Sequence, residues 1–103
     1  ENPMSRANLC LALSLAGRAQ EAVPHAEKAV ALTGGQDPLV LDMLGRLYAQ
    51  AGRTSEAVEP TRQALEIATR AGDERLARDL RARLSSYESA AGRPQESGKT
   101  RSR

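Results

Sequence analysis

The segment LAGRAQEAV at residues 15–23 recurs as QAGRTSEAV at residues 50–58, an offset of 35 positions. Apolar residues outside the segment also match at this offset, as Leu9 does with Leu44. Self-similarity at a fixed period of about 20–50 residues is typical of chains built from stacked structural units. The sequence therefore predicts two tandem copies of one small unit.

Each copy has the pattern of two helices joined by a tight turn. Strong helix formers, above all Ala, Leu, Arg and Glu, dominate the chain, and Gly17 and Gly52 stand at matching places in the two copies. Glycine often ends a helix because it adopts a left-handed backbone conformation at little cost. Asp37 followed by Pro38 is typical of a helix start. We therefore predict helix pairs that turn at Gly17 and Gly52.

Apolar residues at helical spacing predict which helix faces are buried. On the first helix we expect the buried stripe to comprise Leu9, Ala12, Leu13 and Ala16. A last helix follows Gly72 and Asp73, and its stripe comprises Leu76, Leu80, Leu84, Tyr87 and Ala91. Pro24 and Pro60 lie inside the second helix of each unit, where we expect mild kinks because proline removes a helical hydrogen bond.

The 35-residue unit resembles the tetratricopeptide repeat. In the second unit the family's Leu, Leu-Gly, Tyr and Ala positions are occupied by Leu41, Leu44, Gly45, Tyr48, Ala57 and Ala64. The first unit matches at Leu9, Cys10, Leu13, Ala22 and Ala29. Thr61 and Thr69 stand where the family has a late aromatic residue and a closing proline. The resemblance implies an all-α fold, a right-handed α-solenoid of antiparallel helix pairs with two repeats and a C-terminal capping helix.

The resemblance also implies domain boundaries. We expect a tetratricopeptide-type helical domain at residues 1–94, with repeat one at about 3–36, repeat two at about 37–72, the capping helix at about 73–91, and a flexible basic tail at 95–103. The arrangement is similar to the C-terminal portion of large bacterial tetratricopeptide proteins, some of which carry a membrane-embedded glycosyltransferase-like part. Since residue 1 is Glu rather than Met, we expect the chain to be an excised or processed piece of a longer protein.

Charge and composition argue against several classes of partner. The net charge of +2 arises entirely in the tail, so residues 1–94 sum to zero, and only two residues are aromatic. The last helix contains an arginine run that comprises Arg75, Arg78, Arg81 and Arg83. Acidic residues are interleaved with this run, so we expect a solvated face with ion pairs between residues four apart. Nucleic-acid binding is not expected, because the folded part has no net charge and few aromatic residues. Membrane insertion is not expected either, because no apolar run reaches transmembrane length.

No catalytic or metal centre is predicted. His25 is the single histidine and has no further ligand at helical spacing, so we interpret it as a solvated surface residue. Cys10 has no basic residue one helical turn away that would activate a thiolate, so we interpret it as a small buried residue at a close helix contact. We therefore expect no enzyme activity, no cofactor, no metal and no small-molecule substrate.

The resemblance places a partner site on the concave wall formed by the first helix of each unit and the capping helix. The residues on this wall are Asn8, Leu11, Ser14, Asp42, Met43, Arg46, Gln50, Asp79, Arg83 and Ser86. Asp42 and Arg46 fit a partner contact and a plain surface ion pair equally well. The Lys and Asn positions with which one subfamily grips a C-terminal carboxylate are occupied here by Ala7, Leu11 and Met43. We therefore do not expect chaperone binding of that kind.

We predict a protein-interaction module that binds a peptide or helix of a partner protein in a concave groove. Two alternatives stay open. Apolar surface at both ends of the array, together with Met4, Leu11 and Leu15, allows a homodimer. The chain is alternatively a scaffolding segment of a larger, membrane-bound, glycosyltransferase-like protein. The sequence identifies no particular partner, and it does not decide between the cytoplasm and the periplasm for the soluble domain that we expect.

Overall fold

The computed structural model describes the backbone of residues 3–92 and the side chains of residues 8–91. Over this range the chain is all-α, as expected, and no strand occurs in residues 3–92. The five helices are α1 (Pro3–Leu15), α2 (Ala19–Leu32), α3 (Pro38–Gln50), α4 (Thr54–Arg70) and α5 (Glu74–Gly92). The expected basic tail at 95–103 lies outside the described residues.

The helix ends form where the local sequence predicts them. Gly17, Gly52 and Gly72 have φ values of +75°, +81° and +75°, so each adopts the left-handed conformation that stops a helix. The carboxylate of Asp37 accepts a hydrogen bond from the backbone N–H of Leu39 at 3.0 Å and thereby caps α3. Because the connections contain only three to five residues, each helix returns antiparallel to the one before it.

The turns of the two repeats are built alike. Arg18 pairs with Glu21 in the first turn, with 2.6 Å between Nη2 and Oε1, and Arg53 pairs with Glu56 in the second, with 2.7 Å between Nε and Oε1. Each arginine therefore sits just before a helix whose first turn carries its carboxylate partner. The repeated ion pair explains why the Ala-Gly-Arg segment and the following glutamate recur together.

Each helix packs mainly against its sequence neighbours, and α1 also contacts α3. One group of buried side chains, which includes Cys10, Val23 and Tyr48, joins the first three helices and the start of α4. A second group, which includes Leu41 and Leu80, joins α3 to α4 and α5. Many of the other buried positions are alanines, so the helices approach closely and form a solenoid-like array.

The helices α3 and α4 approach each other closely at Gly45. A Cβ at this position would lie 2.5 Å from Oγ1 of Thr61 and 3.3 Å from the carbonyl oxygen of Ala57. Thr61 is fully buried, and its hydroxyl donates a hydrogen bond of 2.8 Å to the same Ala57 carbonyl. A threonine thus fills the place of the family's late aromatic residue, and it leaves no room for a side chain on Gly45.

The expected buried stripe of α1 is wrong at three of its four positions. Leu9, Ala12 and Ala16 are exposed, and Leu13 is half-buried, whereas Cys10 is fully buried against α2. The spacing of apolar residues revealed an apolar face but not which neighbouring helix covers it. The matching positions of α3 pack against α2, the helix that precedes α3. None of the described helices packs in the same way on that face of α1.

The two internal prolines do not interrupt their helices. Both α2 and α4 continue past Pro24 and Pro60 respectively. Pro60 is buried within the array, whereas Pro24 is exposed. None of the five helices described over residues 3–92 is long and apolar enough to cross a membrane.

Candidate binding groove

A groove of about 310 Å³ runs between α1 and α3. Its walls are formed by Asn8, Cys10, Leu11 and Ser14 from α1 and by Leu39, Asp42, Met43, Arg46, Leu47 and Gln50 from α3. Seven of the ten residues expected on the concave wall therefore lie together. A volume of this size is at the lower end of the range of about 300–1,000 Å³ that ligand-binding clefts span.

A hydrogen bond spans the groove near one end. The hydroxyl of Ser14 donates to Oε1 of Gln50 at 2.6 Å, and it joins α1 of the first repeat to α3 of the second. Both side chains are polar and lie at the last turns of their helices. This contact fixes the separation of the two walls at that end.

The middle of the groove is apolar. Leu11 is exposed on the α1 wall, and on the α3 wall Leu39 is exposed and Met43, one turn further on, is half-buried. Cys10 is fully buried behind this surface, where its sulfur lies 3.6 Å from the carbonyl oxygen of Ala22 and donates a weak hydrogen bond. The two exposed leucines lie on different walls and at different levels of the groove, since the 35-residue offset pairs Leu11 with Arg46.

Asp42 is not a surface residue, which corrects the expectation that it forms an exposed part of the wall. It is only 5% exposed, and Arg83 of α5 holds both of its carboxylate oxygens, with Nε–Oδ1 at 2.8 Å and Nη2–Oδ2 at 3.2 Å. This bidentate pair is the strong form of an arginine–carboxylate contact. Its hydrogen bond raises the pKa of Arg83 above the ordinary value. Arg83 accordingly binds α5 to α3 and does not line the groove.

Among the side chains that the structure describes, Arg46 is the cation that lines the groove. Its Nη1 lies 3.7 Å from Oδ2 of Asp42, and its side chain is 56% exposed. Because Arg83 already engages both oxygens of Asp42, most of the hydrogen-bonding capacity of Arg46 is left for water or a partner. The sequence suggested an ion pair between two exposed residues. In the structure the carboxylate of Asp42 is buried and only the guanidinium of Arg46 is exposed.

The remaining expected wall residues lie elsewhere. Ser86 and Asp79 are exposed on α5 and do not line the groove. Asp79 instead borders a second, shallower depression between the start of α3 and α5. That depression is lined by Asp37, Pro38, Leu39, Asp73, Arg75, Leu76 and Asp79. Leu39 borders both depressions, and sequence reasoning missed it, although its repeat-one counterpart, Met4, was expected on the surface.

The arginines of α5 do not form the expected pairs within their own helix. Arg83 reaches Asp42 of α3, and Glu88 pairs with Arg62 of α4 at 3.2 Å. Arg75, Arg78 and Arg81 are exposed and form no ion pair with any described residue. The arginine run is therefore a solvated face, but it is not neutralised by carboxylates one turn away.

Tyr48 joins the two repeats on the side of α3 that faces α2. Its hydroxyl donates a hydrogen bond to Oε2 of Glu27, and the guanidinium carbon of Arg53 lies 4.8 Å from its ring centroid. Burial, together with the hydrogen bond to Glu27, raises the pKa of Tyr48 to about 12. The protonated phenol is thus part of the contact between the repeats.

This contact predicts a pH-dependent loss of stability. The native state holds the Tyr48 proton more tightly than the unfolded chain, in which the pKa is about 10. Its contribution is complete below a pH of about 10 and is lost as the pH rises through about 12. We expect Tyr48→Phe to lower the free energy of unfolding by about 0.5–1.5 kcal/mol at neutral pH, because it removes the hydrogen bond to Glu27.

Urea denaturation followed by circular dichroism, at neutral and at alkaline pH, measures both effects. The difference between wild type and Tyr48→Phe should shrink as the phenol ionises. Glu27→Gln is the matched control, since it keeps an acceptor for the hydroxyl and should cost less at neutral pH. Equal stability of wild type and Tyr48→Phe at neutral pH would contradict the role of this hydrogen bond.

The fold and the groove define a helical-repeat protein with an open groove between the first helices of its two repeats. Among the described residues, no group of histidine, cysteine and acidic side chains could hold a metal ion. The family model described as "Tetratricopeptide repeat" matches residues 3–70, which is about two thirds of the chain, and the chain belongs to this family. Its members are in general protein–protein interaction modules without catalytic activity. No curated protein matches the chain.

Proposed function

We propose that the chain binds a short segment of a partner protein in the groove between α1 and α3. The observation that carries the proposal is the arrangement at the centre of the groove. Exposed Leu11 and Leu39, half-buried Met43 and the exposed guanidinium of Arg46 all line this one groove. Asp42, the carboxylate that would otherwise neutralise Arg46, is already engaged by Arg83.

The partner segment follows from this chemistry. Apolar side chains of the segment pack against Leu11, Leu39 and Met43, and the unbranched side chain of Met43 adapts to irregular shapes. A carboxylate of the same segment pairs with Arg46, which can donate two parallel hydrogen bonds. The segment is therefore acidic and apolar in close succession. The two repeats offer less area than a standard interface, so we expect dissociation constants of roughly micromolar size.

A phage-displayed library of short random peptides tests this proposal. We expect the selected sequences to carry an acidic residue near a large apolar one. Arg46→Glu should weaken their binding by about tenfold or more, because the new carboxylate repels that of the peptide. Arg78→Glu is the matched control, since it makes the same charge change on an exposed residue of α5 and should leave the affinity unchanged.

Amide-shift mapping on the chain locates the contact. Shifts at Leu11, Leu39 and Met43 support the groove. Shifts concentrated on the second helices, around Glu27, Arg62 and Glu66, place the binding surface on the opposite side and contradict the proposal. An equal loss of affinity in Arg46→Glu and Arg78→Glu would show that only net charge matters. The role of scaffold in a larger membrane-bound protein stays a prediction.

A further inference from the structure

The hydrogen bond that spans the groove leaves half of the Gln50 amide unused. Oε1 of Gln50 accepts from the hydroxyl of Ser14 at 2.6 Å, so the orientation of the amide is fixed. The NH2 group on the same carbon carries two hydrogen-bond donors. Among the described residues, no atom accepts a hydrogen bond from this NH2 group. The groove therefore contains an uncharged donor that is held in place and available to a ligand.

This donor lies one helical turn from the guanidinium of Arg46. Arg46 and Gln50 are four residues apart on α3, and both line the groove. Their Cβ atoms are neighbours at about 5–6 Å, and helical side chains lean toward the N-terminal end, so Gln50 leans toward Arg46. Because an amide carries no charge, Gln50 adds donors beside Arg46 without neutralising it.

A carboxylate matches this set of donors. Its two oxygens accept about four hydrogen bonds, of which a bidentate guanidinium uses two. The remaining positions can accept from the amide of Gln50, and hydrogen bonds to an ionised acceptor are roughly twice as strong as neutral ones. The pair of donors thus suits an acidic side chain better than a cation or an apolar group.

We propose that Arg46 and Gln50 together bind one side-chain carboxylate of the partner segment, and that Ser14 is the positioning residue that orients the amide of Gln50. The proposal rests on the function proposed above and deepens it, because it assigns the acidic residue of the segment to a particular end of the groove. The apolar side chains then contact Met43 and Leu39, toward the start of α3.

The geometry of α3 also sets the spacing of the partner residues. At a rise of 1.5 Å per residue, the midpoint between Arg46 and Gln50 lies about 7–8 Å along the helix from Met43. The Ser14–Gln50 contact closes this end of the groove to a helix of about 10–12 Å diameter, whereas an extended chain can lay single side chains into it. Residues two apart in an extended chain are about 7 Å apart on one face. The segment therefore has one residue between its acidic and its apolar residue.

Two synthetic peptides test the assignment. The first is a peptide from the phage selection with an amidated C-terminus, and the second has its acidic residue replaced by the corresponding amide. Gln50→Leu should weaken binding of the acidic peptide about tenfold, because a hydrogen bond to a charged group is lost. It should change the affinity of the amide peptide much less, and this difference identifies the direct contact. Gln63→Leu, at an exposed glutamine of α4, is the matched control and should bind both peptides like wild type.

The role of Ser14 has its own readout. Ser14→Ala should weaken binding of the acidic peptide about threefold, because the amide of Gln50 is then free to rotate. The same substitution should have no effect in a Gln50→Leu background, since Ser14 acts through Gln50. Ser14→Thr keeps the hydroxyl and should restore wild-type affinity. A loss that is equal in both backgrounds overturns the positioning role.

The outcomes separate this proposal from the function on which it rests. If the selection gives no peptide whose binding depends on Arg46, both fail together. If Arg46→Glu weakens binding but Gln50→Leu affects neither peptide, or affects both equally, the groove stands and the carboxylate site is overturned. If the peptide binds only with a free C-terminus, the carboxylate comes from the end of the chain, and the side-chain assignment is overturned. Circular dichroism confirms that each variant is folded.

Discussion

Replacing Arg83 by methionine should lower the free energy of unfolding by about 2–3 kcal/mol. The change leaves the carboxylate of Asp42 buried without its bidentate partner, and removing one member of a buried pair typically costs about 3–5 kcal/mol. We place the loss at or just below the lower end of this range, because the Arg83 side chain is 32% exposed and Arg46 lies near enough to compensate in part. Methionine preserves most of the apolar stem, so lost packing contributes little.

Urea denaturation measures the loss, and hydrogen exchange shows where it arises. Amides of α5 should exchange faster in Arg83→Met, since the ion pair connects α5 to α3. The double variant Asp42→Leu/Arg83→Leu is the control. It removes both charges together, so it should be more stable than Arg83→Met. If Arg83→Met matches the wild type, the ion pair contributes nothing to the docking of α5.

Replacing Gly45 by leucine should destabilise the chain by about 1–3 kcal/mol or slightly more. Already the first carbon of any side chain would lie 2.5 Å from Oγ1 of Thr61. If Thr61 rotates away, it breaks its hydrogen bond to the Ala57 carbonyl, and its hydroxyl is then buried without a partner. The helices α3 and α4 would therefore have to separate, and the packing around Leu41 would be lost as well.

The variants Gly45→Ala and Thr61→Ala, alone and together, separate two effects. One is the steric clash with Thr61, and the other is the low helix propensity of glycine. Glycine within a helix is less stable than alanine by about 1 kcal/mol. In a Thr61→Ala background the obstructing hydroxyl is gone, so Gly45→Ala should then be neutral or stabilising. In the wild-type background the same substitution should be less favourable. A Gly45→Ala effect that is identical in both backgrounds would show that Thr61 does not limit the approach of the helices.

The fold could be predicted because its signals are local. The glycine turns, the Asp37 cap and the repeated Ala-Gly-Arg segment each act within a few residues, and they fixed five helices in order. The groove could be predicted in part for a related reason. Once α1 and α3 are recognised as equivalent helices, the 35-residue offset brings their matching faces side by side.

The contacts with α5 could not be predicted, because the repeat period does not hold there. The helix α4 has 17 residues against 14 in α2, so the offset no longer relates α5 to α3. Asp42 and Arg83 are 41 positions apart, and nothing in their own segments indicates that they meet. The exposure of Leu9 was missed for a different reason, since helical spacing shows that a face is apolar but not whether a neighbour covers it.

The ion pair of Asp42 with Arg83 makes the charge of the groove depend on the position of α5. When α5 detaches, Arg83 leaves with it, and Asp42, which already lies 3.7 Å from Arg46, is released from its bidentate partner. An anionic ligand would then compete with the carboxylate of Asp42 for the guanidinium of Arg46. Thermodynamic reciprocity requires that a ligand which prefers the docked state also strengthens docking by the same factor. If the proposed segment binds in the groove, its binding is cooperative with the docking of α5, and the amide exchange of α5 reports on occupancy of the groove.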